Sequence, residues 1–301
     1  MAYAYTSNGT NIMVGHSSFG ERPHCYQRTF RVEYVANISR IRSYQPLIDN
    51  CMTKTPAYIA AHIRRVLLDG ASAPHTEDVQ RFFKEEIKSR GWYTAELRKV
   101  AIRFRRQILA ERDQEFLVAV ADKLFRGRVL EEKVFAVFLL ENHTDELGDR
   151  EFRLFGTWLD RVSTWADHDA LACYLIGPMI ASDPRRAKVV FQWAKSPHRW
   201  HRRAAAVALI RAVGQHKCRA EVVKITHALL ADKDDMVQKG LGWLLRVAAK
   251  VDRDQTLPLL MKIRAQAPRL VLRTACETLP PDLKQQVLGI APRARAATNR
   301  Q

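Results

Sequence analysis

An all-α chain arranged as an α-solenoid of about six two-helix repeats is the fold that this sequence predicts. Three observations predict it. From Thr55 onward the apolar residues recur at spacings of three and four, no convincing strand pattern follows residue 55, and a short basic–small–leucine pattern returns about every 35 residues. The 301 residues are 47% hydrophobic and 27% charged, which excludes wholesale disorder and allows one or two domains.

Taken in order, residues 1–51 differ from the rest. They are rich in Ser, Asn, Gly and Tyr, and Phe30, Val32 and Tyr34 alternate as in a short strand. They are read as an N-terminal extension, partly irregular, because the stretch from Met52 itself resembles a protein start. Ile59, Ile63, Val66 and Leu67 then make one helical face. Thr76, Asp78 and Val79 look like a helix start, with Phe82, Phe83 and Ile87 as its buried side. Helical patterns continue at short intervals, broken by Gly91, Gly127, Gly148, Pro184, Pro197, Pro268 and Pro280–Pro281. The repeat domain is expected over 52–292, with a basic tail at 293–301.

The repeat is led by Arg98, Lys133, Asp169, Arg203, Lys239 and Arg273, each followed at +3 by a small residue and at +6 by leucine or, once, phenylalanine. The steps are 35, 36, 34, 36 and 34 residues. That period belongs to two-helix units of the HEAT or TPR type, each burying its apolar face against its neighbours. Equivalent positions then point the same way, so five of the six leading residues set cations on one face, expected to be concave. Asp169 breaks the row, and a carboxylate among cations calls for a chemical explanation.

Charge supports a polyanionic partner. Lys and Arg number 49 against 32 Asp and Glu, a net charge of +17. Between Pro184 and Ala220 there are ten basic residues and no acid, whereas Glu141–Asp169 carries eight acids and three bases. A solvated charged face is the bland alternative for such a run. The N-terminus lacks the basic start and apolar core of a secretory signal, and no apolar stretch is long enough to span a membrane. Five cysteines, scattered and without C-x-x-C, fit a reduced cytosolic thiol set. The expectation is therefore a cytoplasmic monomer with no membrane partner.

Three tryptophans sit beside charged residues that follow the repeat: Trp165 with Asp169, Trp200 with Arg203, and Trp243 with Arg246. Gly240 and Gly242 are expected to reduce bulk beside the Trp243 indole. Trp92, Trp158 and Trp193 read as packing residues. His198, His201 and Cys218 lack a fourth ligand, so no metal is expected, and no phosphate-loop, G-x-S-x-G or H-E-x-x-H motif is present, so no cofactor is expected either.

With LEEKVFAVFLLE, TWADHDALACYLIG, WHRRAAAVALI and DMVQKGLGWLLR in this order and spacing, residues from about 55 to 290 resemble the AlkD-like DNA glycosylases, a DNA alkylation repair family of HEAT-like repeats. The resemblance implies release of cationic N3-alkyladenine and N7-alkylguanine from double-stranded DNA, without extruding the base. It implies Asp169 as the catalytic carboxylate, Trp165 and Trp243 as the aromatic pair at the damaged nucleotide, and Arg203 as a phosphate ligand. Arg202, Trp200, Lys239, Arg246, Lys133, Arg98 and Arg273 are expected to line the same DNA-binding face. Two other readings stay open: a non-catalytic solenoid that binds branched or damaged DNA or RNA, and a protein-binding scaffold whose contact with DNA would depend little on salt.

Overall fold

The computed structural model describes residues 53–289 together with two short strands, β1 (Ala2–Ala4) and β2 (Ile12–Val14), paired antiparallel with Ala2 opposite Val14. The expected strand at Phe30–Tyr34 and the basic tail at 293–301 lie outside the described residues. The chain divides into two units, Met1–Pro46 and Leu47–Gln301. Within the second unit every described element is helical, and the unit is an α-solenoid.

The first helix, α1 (Pro56–Asp69), is capped by the Thr55 hydroxyl, which accepts from the Tyr58 amide, and starts with proline at its first position. It buries Ile59, Ala60, Ile63, Val66 and Leu67, the face expected from the sequence. Gly70 caps its end, and a side chain is excluded there because a Cβ would lie 2.1 Å from the Trp92 ring, whose Nε1–H donates to the Leu67 carbonyl.

The next helix, α2 (Ala73–Gln80), stops earlier than its sequence suggests. Phe82 is 61% exposed, and residues 81–93 run as an irregular segment. A buried carboxylate replaces the missing helical bonds. Glu131 accepts from the Ser89 hydroxyl and from the amides of Arg90, Gly91 and Trp92, while Gln80 binds the carbonyl of Glu85 and the amide of Ile87. Gly91 sits at φ +71, where a side chain would be strained.

Thereafter helices alternate. The leading positions of the repeat lie on α3 (Thr94–Glu111), α5 (Leu130–Leu140), α7 (Trp165–Leu171), α10 (Arg199–Val207), α13 (Asp235–Val251) and α15 (Arg269–Ala275). These pack side by side in chain order: α3 on α5, α5 on α7, α10 against both α7 and α13, and α13 on α15. Between them come α4 (Gln114–Phe125), α6 (Asp149–Trp158), α8 (Gly177–Ser182), α9 (Ala187–Trp193), α11 (Ile210–Gly214), α12 (Arg219–Leu229) and α14 (Arg253–Ile263), and α16 (Pro281–Leu288) ends the series. The small residue of each motif is buried at the helix contact (Ala101, Ala136, Ala172, Ala206, Gly242, Cys276), and so is the apolar residue after it (Phe104, Leu139, Leu175, Leu209, Leu245, Leu279). At Gly242 the fit is tightest, since a Cβ would meet Thr274 Cβ at 2.6 Å and the Val271 carbonyl at 3.0 Å.

Among the described residues no helix is long and apolar enough to cross a membrane.

Candidate active site around Asp169

The site begins with a helix cap. Thr164 receives the amides of Ala166 and Asp167, and Asp167 in turn accepts from the amides of Ser163 (2.9 Å) and Thr164 (2.7 Å). Asp167 is 1% exposed and is neutralised by Lys133 Nζ at 3.2 Å; that ammonium also binds Ser163 Oγ and the Arg161 carbonyl. The cap fixes the start of α7 and hence the direction of Trp165 and Asp169 one turn apart. Beyond Leu171 the helix widens into a π-type turn over Ala172–Ile176, a local distortion common next to functional residues.

Asp169 is 6% exposed and faces inward. Arg203 of α10 grips it with a planar fork, Nε to Oδ1 at 2.9 Å and Nη2 to Oδ2 at 2.8 Å. His168 Nδ1 lies 2.7 Å from Oδ1, and His168 Nε2 lies 3.1 Å from the Trp200 carbonyl. The remaining Arg203 nitrogen, Nη1, donates to the Met236 carbonyl at the start of α13. Gly240 makes room for this, because a Cβ there would stand 3.2 Å from Arg203 Cγ. Burial by itself raises the Asp169 pKa, but the charge of Arg203 and the hydrogen bonds from His168 and Arg203 outweigh it and hold it at about 2. The carboxylate is ionised at neutral pH. One turn on, burial and the Asp169 charge push the Cys173 thiol far up, so it is no nucleophile.

Trp165 is half-buried, and one face of its ring is stacked on Phe83, with centroids 5.0 Å apart and planes at 17°. Phe83 belongs to the irregular segment after α2. The same segment reaches two more helices: Lys84 Nζ lies 3.4 Å from Asp235 of α13, and Glu85 lies 3.9 Å from Arg199 of α10. Trp243 is half-buried on α13, two turns beyond Asp235 and one beyond Lys239, which share its face.

The other residues expected at the DNA-binding face are placed as follows. Arg203 and Lys133 are 5% and 2% exposed, with their charges spent on Asp169 and Asp167. Arg98 is paired with Glu141 at 2.8 Å and packs over the Phe138 ring, and Arg202 is paired with Asp232 at 2.6 Å. Trp200 is buried, with the Arg199 guanidinium over its ring and its centroid 5.5 Å from that of His168. Arg246 binds Glu277. Of the cations expected on the DNA-binding face, Lys239, half-exposed beside Asp235, and the exposed Arg273 keep their charge near solvent.

The acid-free run from Pro184 to Ala220 does not stay unpaired: Asp183, just before it, and Asp149, Asp232, Asp234 and Asp252 from other segments meet its arginines. The glycines beside Trp243 serve Arg203 and α15 rather than the indole. His201 binds Asp160 at 2.8 Å, and no cluster of metal-ligating side chains occurs among the described residues. Phe83 and His168 are the site residues that the sequence pattern did not single out.

The sequence profile of the DNA alkylation repair enzyme family matches residues 63–279, most of the chain and every helix that carries the site. The chain belongs to that family. Among solved structures it is similar to a predicted DNA alkylation repair enzyme from Enterococcus faecalis, with a TM-score of 0.63 at 15% identity, covering 70% of this chain and 97% of that one. That likeness concerns the fold. No curated protein matches the chain. Within this family member, Arg203 ties α7 to α10 and α13 through its bonds to Asp169 and the Met236 carbonyl.

Proposed function

We propose that this protein is a monofunctional DNA glycosylase that hydrolyses the N-glycosidic bond of cationic alkylated purines, N3-alkyladenine and N7-alkylguanine, in duplex DNA. The observation that carries this reading is an ionised carboxylate, Asp169, held rigidly one helical turn from the half-buried Trp165.

The chemistry requires little else. Alkylation at N3 or N7 leaves the purine positively charged, so it departs as a neutral base and needs no general acid. The barrier lies on the sugar, which gains oxocarbenium character as the C1′–N bond lengthens. A fixed carboxylate lowers the energy of that cation and orients or deprotonates the attacking water. Indole faces at Trp165 and Trp243 attract the same cationic sugar. Arg203 then works by holding Asp169 rather than by binding phosphate. DNA phosphates fall to the overall charge of +17 and to cations near solvent such as Lys239 and Arg273. The lesion staying in the duplex while the enzyme works from the backbone side is part of the same proposal.

A second reading has one observation in its favour. Because the Asp169 charge is answered by Arg203 within the protein, the pair also suits a structural role in a non-catalytic solenoid that binds damaged or branched DNA. One assay separates the two. Methylated duplex DNA incubated with the protein should release free 3-methyladenine or 7-methylguanine; salt-sensitive binding without release would establish the second reading instead.

A further inference from the structure

A carboxylate offers four lone-pair sites, and three of those on Asp169 are filled. Oδ1 accepts from Arg203 Nε at 2.9 Å and from His168 Nδ1 at 2.7 Å, while among the described residues Oδ2 accepts only from Arg203 Nη2 at 2.8 Å. One site is left, on Oδ2. His168 itself is 0% exposed, clamped between the carboxylate and the Trp200 carbonyl of α10. The charged groups around its ring are Asp169, Arg203 and Asp167, the last already bound to Lys133. Packing alone does not call for a donor here, since an apolar side chain would fill the same interior space without desolvating an imidazole.

From this we infer that His168 is a positioning residue: it donates Nδ1–H to Asp169 Oδ1, saturates that oxygen, and so leaves Oδ2 as the oxygen presented to the sugar or its attacking water. The use of Oδ2 rests on the glycosylase reading above, whereas the hydrogen bond rests on the geometry alone. A carboxylate only accepts, so the proton must sit on Nδ1. The Trp200 carbonyl also only accepts, so the bond from Nε2 forms only when the ring carries both protons. Burial opposes that charge first of all, and Arg203 adds to the opposition, against the pull of Asp169. When the ring gives up one proton it is therefore the one on Nε2, and the shorter bond to Asp169 survives.

The test uses the intact protein with two substitutions. His168→Leu removes the donor, and His168→Asn puts an amide N–H near the place of Nδ1. In a ¹³C-carboxyl titration, H168L should raise the Asp169 pKa by about one unit and H168N by less. In single-turnover excision from methylated duplex, H168L should be about 10- to 100-fold slower with DNA affinity nearly unchanged, and H168N should recover most of the rate.

An unmoved Asp169 titration in folded H168L overturns the inference. So does an H168L rate equal to that of the wild type. Should H168L fail to fold, the ¹H–¹⁵N spectrum of the wild type decides: a strongly downfield Nδ1–H proton that shifts in D169N supports the bond, and its absence overturns it. A wild type that releases no base, with the titration still responding to H168L, overturns the catalytic role together with the glycosylase reading and upholds the pairing.

Discussion

Asp169 and Arg203, 34 residues apart in sequence, meet through two near-parallel hydrogen bonds of 2.9 and 2.8 Å in the interior between α7 and α10. The pair is bidentate and nearly dry, so each member depends on the other. Asp169→Asn keeps the shape of the side chain and removes its charge. Excision of 7-methylguanine should fall by about 3–4 kcal/mol of barrier, 10²- to 10³-fold, with DNA affinity within a few-fold of wild type. The same substitution leaves the Arg203 charge uncompensated, so urea unfolding should show a loss of about 3 kcal/mol. Normal excision by a folded D169N protein would remove Asp169 from the chemistry.

The response to pH follows from the same network. Asp169 is held at about 2 against an ordinary value of 3.8. A carboxyl with a depressed folded pKa contributes stability that is complete above the unfolded value and is lost as pH falls from there toward 2, here about 2 kcal/mol. His168 is lowered from 6.5, by burial first. A buried imidazole that resists protonation also costs stability on acidification, but its loss begins earlier, as pH falls through about 6.5. Urea unfolding at pH 7.5, 5.5 and 3 should show stability dropping across both intervals. H168L should lessen the drop across the upper one, and D169N across the lower, with the remainder left to groups shifted the same way such as His75 and Asp122.

Phe83 fixes the tilt of Trp165 by stacking on it at 5.0 Å. Phe83→Ala should cost about 1 kcal/mol of stability, the usual worth of an aromatic pair. If Trp165 packs against the nucleotide, loosening its ring should slow excision more than it weakens binding. Unaltered single-turnover rates in F83A would show that the stack does not serve the reaction.

Gly242→Ala sets two effects against each other. Alanine is favoured over glycine in a helix interior by about 1 kcal/mol. Its Cβ, however, would stand 2.6 Å from Thr274 Cβ and 3.0 Å from the Val271 carbonyl, and backbone cannot move aside cheaply. Overpacking of this kind costs about 1–3 kcal/mol, so thermal unfolding should show a net loss. Gly214→Ala, with nothing within 4 Å of its Cβ, should be tolerated at the same assay.

The helical repeat was legible because it is a one-dimensional property. The 34- to 36-residue spacing of Arg98, Lys133, Asp169, Arg203, Lys239 and Arg273 placed all six on successive packed helices, and their small and apolar partners at the contacts. That Asp169 and Arg203 fall at equivalent places on neighbouring packed helices was legible for the same reason. The end of α2 was not. The segment that follows Gln80 is held instead by Glu131, which supplies acceptors to the amides of Arg90, Gly91 and Trp92 from a distant helix.

Charge was the property most misread in one dimension. Local counting found ten cations without an acid between Pro184 and Ala220. Neighbouring segments then delivered carboxylates to the arginines, as Asp232 to Arg202 and Asp149 to Arg186. Composition and periodicity alone determined the all-helical solenoid, its repeat and the excess positive charge, because those follow from residue types and their spacing along the chain. Which cations remain for a polyanion, and which way Asp169, His168 and Phe83 face, were decided only by packing, because a charge or a ring takes its role from whatever the fold sets within a few ångströms of it.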